Sequence, residues 1–584
     1  MQETSEPNGK SWKGPLKGWR WLVAWVVLIL CLGIVARLIL AATTEDTNRF
    51  AAAFPWPISI GIALAVAILL ALLIRCLSTW QGFKRLLVGL AVVAGLIGLF
   101  YAEEDIRGSL AWGRFKTQWE ARGEKFEFAA LVPKPVPAEQ NFAMAPVVVG
   151  SYGQILDQNG RHISPPNTNV VNRLQMPIEL DSSGPTNGMG SWQKAVLSDL
   201  APWQQYYRHL AQTTNLYPVA PAPQSPALDV LLALSKYDAT IEDLRRASAL
   251  PFSRFPLNYD NEEVFAILLP HLAPSKGCAI VLRLRALAEL EAGQTDAALA
   301  DIRLALQLTD KIRSEPFLIS HLVRIAALQI TLQPIWEGLA KHRWTDAQLS
   351  ALDSQLAGFD FLADYQMTMR GECVCQVATT EYLRRHPAQL GNLDAYDARD
   401  QHHGFPEFAG RLIPSGWFYQ NQLVSARFIL EKNLPVADPR QRTISPGLAR
   451  QAETSLQEMP LTPYTLLCKR FLPSLGNCVR KFAFVQTSVD LARIACALER
   501  CRLAQGKYPE TLDSLAPQFL PKVPRDIIGG QPLHYRLTDD GQFILYSVGW
   551  DEKDDGGTLA LTKGGGMDQE KGDWLWRYPD QPKR

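Results

Sequence analysis

Three apolar segments crowd the first hundred residues, and they constrain this chain more than anything that follows them. Residues 21–42 are apolar apart from Arg37, residues 56–74 carry no charge, and residues 86–101 are apolar throughout. A bilayer core takes about 20 apolar residues per helix. The third segment is just long enough, with little tilt or with local thinning of the bilayer. Arg37 lies near its segment's end, where its head group reaches the interface; at mid-bilayer it would cost about 2.5–3.5 kcal/mol. Trp19, Trp21, Trp56, Trp80 and Tyr101 stand near the segment ends, as an aromatic belt requires. A cleaved signal peptide fits poorly, because the first segment exceeds the usual apolar region and two more follow it.

Orientation follows from the flanks. Lys10, Lys13, Lys17 and Arg20 precede the first segment, and Arg75, Lys84 and Arg85 fill the second loop. The first loop holds Arg49 against Glu45 and Asp46, and Glu103, Glu104 and Asp105 follow the third segment. The positive-inside bias therefore predicts a cytoplasmic N-terminus and an extracytoplasmic chain from about residue 102 onward. In a bacterium this is a multi-pass inner-membrane protein with a periplasmic body, and the lipid bilayer is its first partner.

The remaining chain is long enough for several units. With 47% apolar and 20% charged residues the whole chain can bury a large core. The whole chain's formal net charge of +1 offers no electrostatic footprint for nucleic acid. Nine cysteines do not make a disulfide framework. Cys373 and Cys375, and likewise Cys496 and Cys501, diverge on helices; only Cys468 and Cys478 bracket a loop that could close.

The pattern divides the chain into a basic flank (1–20), a membrane region (21–101), an exit helix with proline-rich spacer and short β/loop region (102–190), a helical domain (191–385), an irregular loop-rich segment (386–470) and a terminal long helix with a small α+β domain (471–584). The expected fold is thus three transmembrane helices, a mainly α periplasmic domain of irregular hairpins, and a small α+β end. In the exit helix Ile106, Leu110 and Phe115 mark an apolar side and Gly123 stops it. Prolines 133, 135 and 137 make an extended spacer, residues 147–149 read as strand, and Asn159-Gly160 reads as a hairpin turn. Helices are expected over 317–338, 346–357, 365–385 and 450–458, with another from about residue 473.

The clearest helical pair is 278–310. Ile280, Leu284 and Leu287 share one face, Gly293 ends the first helix, Thr295 is placed to cap the second, and Leu299, Ile302 and Leu306 form its stripe. The string RALAELEAGQTDAALADIRLALQL resembles one tetratricopeptide hairpin, with Ala286, Gly293 and Ala298 at its small-residue places; no second copy follows at that period. The resemblance implies a peptide- or protein-binding surface. Glu289, Glu291, Asp296 and Asp301 read as a solvated face paired with Arg283, Arg285 and Arg303.

Catalytic signatures are scarce. No phosphate-binding loop, metal-binding helical histidine pair or nucleophile elbow is present. His402 and His403, with Asp397 and Asp400, are the best candidates for acid–base or metal chemistry, against the plainer reading of a solvated loop. A periplasmic hydrolase working there is the enzymatic alternative to a binding protein.

The terminal stretch is more specific. Leu491, Ile494, Ala495, Leu498 and Cys501 stripe a helix that ends at Gly506-Lys507-Tyr508-Pro509; a short helix (511–515) and a strand pair follow. The order, with Pro524, Asp526, Gly529, Pro532, Tyr535 and LYSVGWD (545–551), resembles the globular domain of type II secretion pseudopilins. That resemblance places 545–551 as the last strand and implies a Ca²⁺ loop ligated by the Val548 carbonyl, Asp551 and Asp573, with Asp568 as a lesser choice for the last; hard oxygen ligands suit that ion. PRDIIGGQP departs from the family's turn, and the spacing from Asp551 to Asp573 is longer than its loop. A pseudopilin also hangs its domain on one N-terminal helix, which this chain does not. The whole layout resembles membrane proteins of the Verrucomicrobia–Planctomycetes type, a likeness that carries no known activity. The expectation is an envelope protein serving binding or assembly, with an accessory role in a secretion or pilus-like system as a further alternative.

Overall fold

The computed structural model describes residues 80–150, 188–214, 216–390 and 410–579, with a few isolated positions besides. The chain is mostly helical, with a small β part near its C-terminal end. It divides into two compact units, Met1–Glu103 and Glu104–Arg584.

Helix α1 (Trp80–Glu120) carries the third apolar segment, and at about 1.5 Å per residue it is about 60 Å long. Among the described residues it is one of two helices long and apolar enough to cross a membrane. None of its most apolar window is buried. The second, α7 (Leu318–Ala340), is a core helix of the body, with Leu328, Leu332, Ile335 and Trp336 inaccessible. The anticipated spans 21–42 and 56–74 lie outside the described residues. Past the apolar stretch, α1 turns a different side inward from the one expected. Glu104, Gly108, Trp112 and Phe115 are buried, whereas Ile106 and Leu110 are exposed. The buried side follows the 3.6-residue period, but a carboxylate and a glycine occupy half of it, which hid it from a count of apolar residues.

In the second unit, α2 (Ala201–Thr214), α3 (Pro226–Leu234) and α4 (Asp238–Ser248) lead to the hairpin of α5 (Leu272–Glu291) and α6 (Thr295–Asp310). Gly293 takes φ +78° in its turn, a conformation glycine reaches without steric cost. Ala286 and Ala298 are wholly buried where the two helices meet. Thr295 does not cap α6: Gln294 holds that place, and the Thr295 hydroxyl accepts from Gln348 instead. Helices α8 (Asp346–Leu356) and α9 (Phe361–Arg385) follow α7. A full capping box at Thr345 and Gln348 starts α8.

Residues 147–149 form a helical turn begun by Pro146, not a strand. Ile155–Leu156 and His162–Ile163 pair antiparallel around the anticipated turn. The segment expected to be irregular contains α10 (Ser415–Phe428), followed by a π-helical turn, Ile429–Asn433. Then come α11 (Pro446–Glu458), α12 (Leu466–Phe471) and α13 (Cys478–Gln505).

Helix α13 is buried on nearly every side, and Gly506 ends it at φ +80°. Strands β1 (His534–Leu537), β2 (Phe543–Ser547) and β5 (Trp574–Arg577) make an antiparallel sheet in the order β1-β2-β5. β3 (Leu559–Leu561) and β4 (Met567–Gly572) form a separate pair. The stretch 545–551 therefore holds the end of the central strand rather than the last strand. This sheet is packed into the core of the unit. The Trp336 indole donates to the Arg577 carbonyl (2.9 Å), and Trp192 lies against Phe484 and Trp576 with ring centroids 6.1 and 5.4 Å apart. All seven cysteines in the described residues are buried free thiols, Cys468 and Cys478 included.

Candidate binding cavity

Pro435 distorts the chain beside a cavity whose lining includes its neighbours Asn433 and Val436. It brings no N–H for the Glu431 carbonyl, and its ring would strike that carbonyl in a regular helix. The chain widens instead, and the Leu434 N–H bonds back to the Ile429 carbonyl, five residues away. Such π turns often mark functional sites. Helix α9 holds the chain that leaves the turn: the Tyr365 hydroxyl donates to Asn433 O (2.8 Å), and Gln366 Nε2 donates to Leu434 O and Ala437 O (2.7 Å each).

The cavity, about 270 Å³, lies between this turn, α11, the start of α13 and the chain joining α12 to α13. Phe428, Val436, Ala452, Leu456, Leu472 and Val479 supply apolar wall, and Glu453, Gln457, Lys469 and Asn477 supply polar groups. Lys469 is committed, donating to Met459 O at 2.6 Å. Asn433 lines the cavity at 9% exposure, and its carboxamide has no hydrogen-bond partner among the described residues. Its amide atoms still meet solvent in the cavity, and a ligand that both donates and accepts would replace those water contacts.

The positions named for calcium fall on two connections, Val548 and Asp551 just after β2 and Asp573 between β4 and β5. Val548 follows β2 and donates its N–H to Asp526 Oδ2 (3.3 Å). Asp551 Oδ2 accepts from the N–H of Gly572, next to Asp573, at 3.3 Å. Asp573 is fully buried, and its carboxylate accepts from the amides of Gly557 (2.7 Å), Thr558 (3.2 Å) and Asp555 (3.3 Å). A Ca²⁺ ion needs six to eight oxygens turned toward it. Here backbone N–H groups supply the positive field that an ion would bring, and the residues present fit calcium poorly. Among the described residues no three His, Cys, Asp or Glu side chains gather as metal ligands. Asp568 turns its carboxylate to the Glu570 amide (2.9 Å). Asp526, in the stretch the family resemblance drew on, is the buried hub: it accepts from the Ile528 and Val548 amides and the Ser547 hydroxyl, and burial pushes its carboxyl up to about 6.

The supposed solvated face is solvated only in part: Glu291, Asp296 and Arg303 are exposed, but Glu289 and Asp301 belong to a buried charge cluster. Asp301 is inaccessible and Glu289 nearly so. Asp301 pairs with Arg245 and with Arg285 Nε (2.7 Å), and Arg285 also reaches Asp238 and Glu289. Burial and the charge of Asp301 push Glu289 up to about 8. A second such cluster was not visible in the sequence. Arg324, wholly buried, pairs with Asp364 and with Asp310 (2.9 Å) beside the rings of Phe359 and Phe361.

His402, His403, Asp397 and Asp400 lie outside the described residues. The nearest thing to a catalytic dyad elsewhere is His342, at φ +51° in the turn ending α7, whose Nδ1 lies 2.9 Å from Glu499. Burial opposes ionisation of Glu499, but hydrogen bonds from Arg502, His342 and Tyr508 outweigh it and hold its carboxyl at about 2. No hydroxyl or thiol among the described residues bonds to this histidine, so the dyad ties the end of α7 to α13 rather than activating a nucleophile. Helices α5 and α7 are themselves buried along most of their length.

Comparison with family models, with curated proteins and with solved structures returns no match for this chain.

Proposed function

We propose that this is a membrane-anchored protein of the bacterial envelope that binds a compact, mostly apolar ligand in the cavity beside the π turn. The N-terminus lies in the cytoplasm and the body after about residue 102 lies in the periplasm. One observation carries the binding reading: Asn433 brings a carboxamide with no protein hydrogen bond among the described residues to a cavity whose walls are part apolar and part polar. The volume suits a molecule near the lower limit of small-ligand sites. The carboxamide selects a group that donates and accepts side by side, such as an amide or a carboxylic acid.

Saturation-transfer NMR on the detergent-solubilised full chain tests this, with acetanilide as probe. Transfer to the probe is expected, and Asn433→Leu should weaken binding about tenfold or more while leaving the melting temperature near the parent's. No transfer, or equal transfer in the variant, ends the reading. A reporter active only outside the cytoplasm, fused after Arg584, tests the topology separately.

A further inference from the structure

Two loops reach the first turns of α1 that follow the apolar segment. Gly416 donates its N–H to Asp105 Oδ1 (2.7 Å). The Tyr464 hydroxyl donates to Glu104 Oε1 (2.8 Å), and the Arg107 guanidinium lies over the Tyr464 ring, 5.3 Å from its centre. Glu104 is only three residues beyond Tyr101. At about 1.5 Å of rise per residue, the groups that touch it lie within one helical turn of the end of the span. These contacts therefore bring Gly416 and Tyr464, and with them the loops that carry them, close to the height of lipid head groups.

The side chains there match that height. Leu461 is 69% exposed and Leu412 63%, and they lie in the same two segments as the half-buried Tyr464 and Trp417, whose rings meet at 6.3 Å. On α12 the exposed Leu466 leads to Phe471, whose ring meets Phe265 at 5.7 Å; Phe265 and Leu268 are exposed too. In water such a run of leucine and phenylalanine costs free energy at every residue. At a bilayer surface it is the composition of an interfacial anchor, with aromatics at the head groups and aliphatics just below.

We infer that this face of the second unit rests on the lipid surface, with Leu412 and Leu461 entering the interface. The inference depends on α1 being membrane-embedded, and it adds that the body lies against the membrane rather than being held off on a stalk.

The test uses the full chain in phosphatidylcholine nanodiscs, with Cys31→Ser and Cys76→Ser to remove the thiols outside the described body. An environment-sensitive NBD fluorophore is placed at Leu461→Cys, Leu412→Cys or, as control, Leu561→Cys on β3, which is also exposed. These side chains are exposed, so melting should match the parent. Lipids carrying a doxyl quencher at the fifth acyl carbon are expected to quench positions 461 and 412 several-fold more than 561. Equal, weak quenching at all three positions in protein that still co-migrates with nanodiscs overturns the inference and leaves the anchor reading standing. Failure to enter nanodiscs overturns both.

Discussion

Gly108 and Gly416 meet backbone to backbone. A Cβ on Gly108 would fall 2.5 Å from the Gly416 carbonyl oxygen, and one on Gly416 would fall 2.0 Å from the Glu104 carbonyl oxygen. This crossing seats α1 on α10, and the Asp105–Gly416 hydrogen bond closes it. Gly416→Ala should force the helices apart and cost about 1–3 kcal/mol, read as a lower melting temperature in detergent. Gly113→Ala, on the same helix with open space around it, should cost nothing measurable. Equal melting of the two variants would mean that the crossing gives way freely.

Asp301 anchors two guanidinium groups from α4 and α5. Asp301→Asn leaves both without their buried counter-charge. Breaking a wholly buried pair costs about 3–5 kcal/mol. The Arg245 side chain is 34% exposed, so about 2–4 kcal/mol is expected in chemical denaturation. Glu289→Gln should be close to neutral at pH 7, because burial already favours its protonated form there.

The same charge clusters show where sequence reading reaches and where it stops. The hairpin 278–310 was legible because aliphatic residues repeat at helical spacing and a glycine interrupts them. The end of α13 was legible for the same reason. Helix α10 was not, because Asn421 and Gln422 sit on its buried side, where an amphipathic pattern needs apolar residues. Asn421 is buried since it donates to Trp417 O and Pro463 O and accepts from the Leu467 amide; its partners lie 42 and 46 residues away. Glu289 and Asp301 likewise follow a surface spacing, and only the guanidinium groups of Arg285 and Arg245, from α5 and α4, make the interior tolerable for Asp301. The cavity was illegible in principle. Its walls come from segments without a motif, although Pro435 behind a helical run was a visible cue to a distorted turn.

Glu372 gives a pH signature. Burial pushes its carboxyl up to about 7, and the Leu318 amide (3.2 Å) offsets only part of that. Its folded value lies above its unfolded value of about 4.3. The protonated form therefore favours the fold below that lower value, and the advantage is lost as pH rises through 7. Glu372→Gln should match the parent near pH 4.5 and gain on it as pH rises, levelling above 7 at about 1–3 kcal/mol. Denaturant melts at pH 5, 7 and 8.5 check the slope. A constant difference at all three would remove Glu372 as its source.

Asp573 decides the loop. Three backbone amides point at its carboxylate, and each N–H is turned inward with no other acceptor among its recorded bonds. In Asp573→Asn one oxygen becomes an NH₂ facing an N–H, so at least one buried amide loses its acceptor. The expected cost is about 1–3 kcal/mol, with or without metal. A calcium loop behaves otherwise: without the ion its carboxylates repel one another, and the parent itself melts lower. Amides already neutralise this carboxylate, so the parent should melt at the same temperature in millimolar calcium and in excess chelator. A calcium-dependent rise that Asp573→Asn abolishes would show that the ion displaces the amides, and would restore Val548, Asp551 and Asp573 as its ligands.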